Sequence, residues 1–359
     1  MKLPERNYWW ISMKLGNKEL EIPIIQGGMG IGVSLGNLAG HVASYGGMGT
    51  ISTANPGFLE DDFWTNSKEA NKRALKREIL KAKEISGGKG LIAINAMVAT
   101  KDYSQAVNTA IEAGADAIIS GAGLPLELPA LAANSDILLA PIVSSGRGAK
   151  TICKVWKKRY KRVPDFVVVE GSGAGGHLGF NKEALEENTT MSLPDIVKDV
   201  MSNICEFGSI PVFAGGSIFD SEDIRSVMEA GASGVQIATR FIATEECDAS
   251  EGFKNVILNG KAEDVVIIKS PVGMPGRALK TPLIEKILKG ESVQHKKCAD
   301  CLIPCRPGDT PYCITTALIE AVKGNYDEGL FFCGSDVGRI NKMTTVEALL
   351  NQLLGGMIV

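Results

Sequence analysis

The chain has 359 residues, 45% of them hydrophobic and 22% charged, with a formal net charge of −3. That size allows one barrel-sized domain or two smaller ones, and the near-balanced charge excludes a general pull toward nucleic acid or an anionic membrane. No apolar run approaches the ~20 residues needed to cross a bilayer. The start, MKLPERNYWWISMKLGNKEL, lacks the apolar core and small-residue cleavage site of a secretory signal. The expectation is a cytoplasmic protein acting on a small molecule, with reduced cysteines and no nucleic-acid or membrane partner; its oligomeric state is open, a homodimer being one option.

In chain order, eight short apolar segments read as strands: IPIIQGG, GMGTIST, LIAINAMV, DAIISGAG, ILLAPIVSS, DFVVVEG, IPVFAGGS and SGVQIATRFI. Between them lie SLGNLAGHVASYGG, SKEANKRALKREILKAKEIS, DYSQAVNTAIEAG, LELPALAANS, GAKTICKVWKKRYKR, LPDIVKDVMSNICEFG and DSEDIRSVMEAG, with apolar residues at helical spacing. Several end on glycine, as a left-handed C-cap requires, and IEAGADAII and MEAGASGVQI repeat one helix-end, glycine, strand-start unit. Continuous apolar strands joined by helices indicate a parallel sheet covered on both faces. A doubly wound sheet would concentrate its glycines in the first strand-to-helix turn, whereas here glycine corners follow nearly every strand. The predicted fold is therefore an α/β protein, a (β/α)8 barrel over residues 1–260, all strand ends facing one site. Residues 261–359 depart from the pattern and read as a carboxyl-terminal extension or lid with a cysteine-rich loop at 298–313.

Two stretches concentrate the chemistry. VVVEGSGAGGHLGF (Val167–Phe180) runs from a strand through glycines to His177, one of three histidines. PVFAGGS and GVQIATRF place Gly215 and Gly216 after the seventh strand and Gln236 to Thr239 at the end of the eighth. Loops after these two strands commonly bind phosphate in such barrels, because free amides and a helix dipole favour an anion, and Thr239 could add a hydroxyl. Alone, paired glycines simply turn the chain.

The order PIIQGGMG, AINAMV, EGSGAGGHLG, PVFAGGS, GVQIATRF and SPVGMPGRA resembles the nitronate monooxygenase family, formerly 2-nitropropane dioxygenases, and its relative the flavin-dependent enoyl-acyl-carrier-protein reductase. The resemblance implies an FMN-binding barrel. Gln26, Gly27, Gly28 and Met29 would lie against the flavin and Asn95 would hydrogen-bond it. Glu170 and Gly175 would line the cofactor, and Gly216 with Gln236, Ala238 and Thr239 would hold its phosphate. His177 would face the substrate as base or proton donor, since a flavin exchanges a hydride or electrons but not the accompanying substrate proton. The implied reaction is oxidation of small nitronates or nitroalkanes with O2. The alternative is NAD(P)H-dependent reduction of an enoyl thioester, and a flavin and cysteine redox sensor is a third reading. Many relatives carry a glutamate four positions before the histidine; here that position is Gly173.

CADCLIPCRPGDTPYC sets Cys298, Cys301, Cys305 and Cys313 at a spacing that four-thiolate sites for zinc or an iron–sulfur cluster share in kind but not in detail. Packed or redox-sensitive thiols are the alternative. Cys333 is a spare ligand, while Cys153, Cys205 and Cys247 read as structural. His41 reads as an ordinary helix residue, His295 is left open, and KKRYKR reads as a solvated helix end.

Overall fold

The computed structural model describes residues 12–293 and 297–355. All eight predicted strands form, at Ile24–Gln26, Met48–Ser52, Leu91–Met97, Ala117–Gly121, Leu138–Val143, Val167–Glu170, Val212–Gly215 and Gly234–Ile237. They close into a parallel barrel, the eighth returning to the first with Val235 opposite Ile24 and Ile237 opposite Gln26. The strands are apolar throughout because both faces are covered. Ile25, Met48, Ala93, Ile119, Ala140, Val168 and Phe213 fill the barrel interior, with Phe166 set edge-on to Phe213 at 5.4 Å. Leu15 and Leu20, from an antiparallel hairpin of Met13–Leu15 and Lys18–Leu20, join that interior cluster. The outward-facing set, including Ile24, Ile94, Ile118, Val169 and Val235, packs under the helices.

The predicted helices form around the barrel. The longest is Ser67–Ser86, which ends at Gly87 with φ 59°. The repeated EAG units behave alike: Tyr103–Glu112 and Ser221–Glu229 end just before Gly114 (φ 75°) and Gly231 (φ 107°), left-handed positions that a side chain would strain. LELPALAANS gives only the short helix Leu128–Leu131.

Residues after the eighth strand have two destinations. Val265–Lys269 and Pro275–Leu279 form a hairpin over the carboxyl-terminal mouth, and Gly176–His177 joins it as a third strand, with Gly276 opposite His177. The last helix, Val346–Leu353, instead enters the outer core, against the helices Gly36–Ser44 and Ser221–Glu229. Paired bonds, Thr344 N to Ala243 O (3.0 Å) and Glu245 N to Thr344 O (2.9 Å), hold the chain end beside the segment after the eighth strand. Part of the segment that reads as an extension therefore completes the helical ring, and part caps the site.

Candidate active site

A cavity of about 480 Å3 opens at the carboxyl ends of the strands, a volume suited to a cofactor and a small substrate. Gly27, Gly28 and Met29 from the first strand, Asn95 from the third, Glu170 and Gly175 from the sixth, and Gly215, Gly216, Gln236, Ala238 and Thr239 from the seventh and eighth all line it, together with His177. Gln26 does not. Its fully buried side chain is held against the neighbouring strand, where Oε1 accepts from Thr50 N (2.9 Å) and Nε2 donates to Gly27 O. It shapes the glycine turn from behind.

The glycines are required by close approach. A Cβ on Gly28 would collide with the Asn95 side chain, and one on Gly27 would lie 3.3 Å from Ala238 Cβ. Gly216 has φ 95° and sits under Gly171 O and Ala174 N. The result is a wall of bare main chain. Polar groups on it without a hydrogen-bond partner among the described residues include Gln236 Oε1, which is buried, and the Glu170 carboxyl. Both flank Gly215 in the barrel register, so they face one notch. Burial pushes the Glu170 pKa up to about 8. Thr239 Oγ1 accepts from Gly334 N (2.9 Å), leaving its own hydrogen to donate.

His177 Nε2 lies 2.7 Å from Ser270 Oγ, and Phe332 packs edge-on against the ring at 5.1 Å. Ser270 is held in the turn between the cap strands by Val272 N, which donates to its Oγ (3.2 Å). Burial lowers the His177 pKa to about 4, so the imidazole is neutral at pH 7. The orienting group is thus a serine 93 residues away. An acid at position 173 would require these serines to move: a Cβ there would collide with Ser217 Oγ and lie 2.9 Å from Ser335 Oγ. Those two hydroxyls are 2.8 Å apart, and Ser335 N donates to Gly173 O (3.0 Å).

Ser270 and Arg240 lie inside SPVGMPGRA and GVQIATRF, motifs that assign neither of them a role, and Phe332 lies in no motif. Arg240 lines the cavity beside Thr239, stacks on Phe219 at 4.3 Å and donates to Phe219 O (2.6 Å). Cys333 is buried on the cavity wall beside Gly175, away from the role of spare metal ligand.

The family profile for nitronate monooxygenase matches residues 12–356, nearly the whole chain. The chain belongs to the nitronate monooxygenase family. Probable nitronate monooxygenases of Staphylococcus saprophyticus and Staphylococcus aureus strain Newman are each 35% identical, over 128 and 130 residues, which is 34% and 35% of this chain. Those alignments span only 34% and 35% of the relatives' own length. An octahydro-indene carboxyl-CoA dehydrogenase of Mycobacterium tuberculosis is 25% identical over 76% of this chain and 66% of its own. Among solved structures, FabK from Thermotoga maritima superposes with a TM-score of 0.73 at 24% identity, covering 93% of this chain and 92% of that one. A nitroalkane oxidase from Streptomyces ansochromogenes gives 0.72 at 18%, covering 94% and 96%. These two likenesses carry the fold alone.

Within this nitronate monooxygenase family chain, the cysteine loop is seated on the third strand's end, with Lys101 N bonded to Cys301 O (3.0 Å) and Ile303 N to Ala99 O (2.9 Å). All four cysteines are free thiols. Among the described residues, no group of three or more His, Cys, Asp or Glu side chains is arranged to hold a metal ion, so the geometry does not support the predicted zinc or iron–sulfur site. The thiols have other neighbours. Cys301 Sγ is 3.1 Å from Thr315 Oγ1, Cys298 Sγ accepts from Asp300 N (3.4 Å), and burial pushes Cys301 up to about 11 and raises Cys305. His295 lies outside the described residues. His41 bonds Asn37 O within its own helix (2.8 Å), and the KKRYKR end is tied to Glu127 through Arg159 (2.9 Å) and Tyr160 (2.5 Å). No helix among the described residues is long and apolar enough to cross a membrane.

Proposed function

We propose that the chain is an FMN-dependent nitronate monooxygenase that oxidises small nitronates or nitroalkanes with O2 to a carbonyl compound and nitrite. The observation that carries this reading is a neutral histidine, His177, held by Ser270 on the wall of a glycine-lined cavity. The wall suits FMN: bare main chain at Gly27, Gly28 and Gly216 admits a flat ring and a phosphate, and the unpartnered Gln236 Oε1 calls for a donor such as a ring N–H or a ribityl hydroxyl. Thr239 would donate to the phosphate, and Asn95 and Glu170 would meet the polar edges. When bound, FMN supplies the electron transfer between substrate and O2.

The chain's own part is proton handling. With Nε2 hydrogen-bonded to Ser270 Oγ, the tautomer protonated at Nε2 leaves Nδ1 as the basic atom, and the α-proton of a neutral nitroalkane would go there. A nitronate, already deprotonated, needs no such step. Met97, Ile142, Met274 and Phe332 give the cavity an apolar side that excludes water from this exchange.

NAD(P)H-dependent reduction of an enoyl thioester is the second reading, favoured by the apolar side and by the similarity to a carboxyl-CoA dehydrogenase over 76% of this chain. It requires His177 to deliver a proton, and a pKa near 4 opposes that at neutral pH. No metal enters either reading, and the partner is a small molecule in both. The test is to release the cofactor by heat, identify it by chromatography, and measure O2 uptake with a small nitronate and NAD(P)H oxidation with an enoyl thioester. The proposal expects FMN and nitronate-dependent O2 uptake. Protein that cannot be loaded with FMN overturns the cofactor assignment; turnover of the thioester alone transfers the function to the second reading. FMN with no turnover of either would favour the redox sensor.

A further inference from the structure

Arg277 lies on the cap strand Pro275–Leu279, opposite Gly176. Its guanidinium does not reach into the cavity lining but grips the loop behind it: Nη2 donates to Ser172 O (2.6 Å) and Nε to Ala174 O (3.1 Å). These carbonyls lie in the turn joining the sixth strand to His177. The Arg277 carbonyl in turn accepts from Cys333 N (3.4 Å), which ties the same strand to the segment that bonds Gly173 O. Burial lowers the guanidinium pKa, with Cys333 and Asp336 as its ionisable neighbours and Glu170 at the start of the loop it grips. An aliphatic side chain would fill this space without the cost of desolvating a charge. It would lack two donors fixed in one plane, which is what a pair of carbonyls two residues apart demands.

We propose that Arg277 is a positioning residue for His177, setting the Ser172–Gly176 turn through the two carbonyls so that the imidazole meets both Ser270 and the substrate. This goes beyond the gripping of a loop by the cap in general: it makes one side chain, outside the cavity, responsible for the placement of the base. The inference rests on the reading of His177 as that base.

The experiment compares wild type, Arg277→Lys and Arg277→Met as FMN-loaded proteins, following bound flavin, kcat and KM for a small nitroalkane, and the pH dependence of kcat/KM. Both variants are expected to keep FMN. Turnover should fall about 10²-fold in Arg277→Met, the scale of a displacement of about 1 Å in a catalytic group, and less in Arg277→Lys, with KM changed far less than kcat. The acid limb should also move up from about pH 4 toward the ordinary histidine value as water reaches the loosened ring. A merely structural arginine would not move that limb. Turnover in Arg277→Met close to wild type, or a fall with the limb unmoved, overturns the proposal. If Arg277→Met does not fold, Arg277→Lys decides alone: an unmoved limb with unchanged kcat is contrary, and a partial fall with a raised limb is supportive. Wild-type protein that binds FMN but shows no nitroalkane turnover would instead contradict the proposed function, and the limb could then be read from titration of the His177 ring by NMR, where the same shift is expected.

Discussion

At His177 burial and one neighbour set the state of the ring. Burial depresses its pKa to about 4, and Ser270 engages Nε2 at 2.7 Å, leaving Nδ1 outside that hydrogen bond. His177→Ala is expected to keep FMN and lose about 10²-fold in nitroalkane turnover, the usual scale for a positioned base; Ser270→Ala should lose less, because the base remains but its orientation is freed. Turnover of wild type should hold from neutral pH down to about pH 4, then fall as His177 takes a proton. The linkage has the same sign: the unfolded chain protonates this histidine near 6.5 and the folded chain near 4, so between these values acid favours the unfolded state. Steady-state rates and flavin absorbance on the same preparations check the substitutions. Equal rates for wild type and His177→Ala on a nitroalkane would return the histidine to an ordinary loop residue.

Among elements, the helix Gly36–Ser44 shows how the segment after the eighth strand and the start of the barrel depend on each other. Its first amides have no side-chain N-cap of their own, and Asp248, beyond the eighth strand, supplies one from a distance: its carboxylate accepts from Leu35 N (2.8 Å), Leu38 N (3.1 Å) and Asn37 N (3.2 Å). Asp248→Ala should therefore destabilise the fold by about 1–3 kcal/mol, the cost of a lost cap and of buried amides left unbonded, measured as a lower urea midpoint at unchanged slope. An unchanged midpoint would mean that water replaces the carboxylate. The eight strands and most helices were legible in the sequence because their signals are local: a period, a run of β-branched residues, a glycine at a left-handed cap. Ser270, Arg277 and Asp248 act across 93, 103 and 213 residues, and no local pattern encodes such a meeting. The cysteine spacing was legible as a pattern, but its expected metal site was not met in the geometry, because close sequence spacing does not aim thiols at one point.

For the molecule as a whole, the motifs located the cavity wall, since eleven of the twelve residues expected to hold the cofactor line it and Gln26 supports it from behind. They did not reveal that the chain end closes the helical ring, because Val346–Leu353 is an ordinary amphipathic helix whose place is set by which groove remains unfilled. On the proposed function, this cavity would hold FMN and let a nitronate pass electrons to it. The most direct measurement is anaerobic stopped-flow: FMN-loaded protein is mixed with a small nitronate, or with NADH or NADPH, and the oxidised-flavin absorbance is followed before O2 can restore it. Loss of that absorbance with nitronate alone is the expected result. No change with nitronate, and instead rapid loss with a nicotinamide followed by recovery on adding an enoyl thioester, would contradict it.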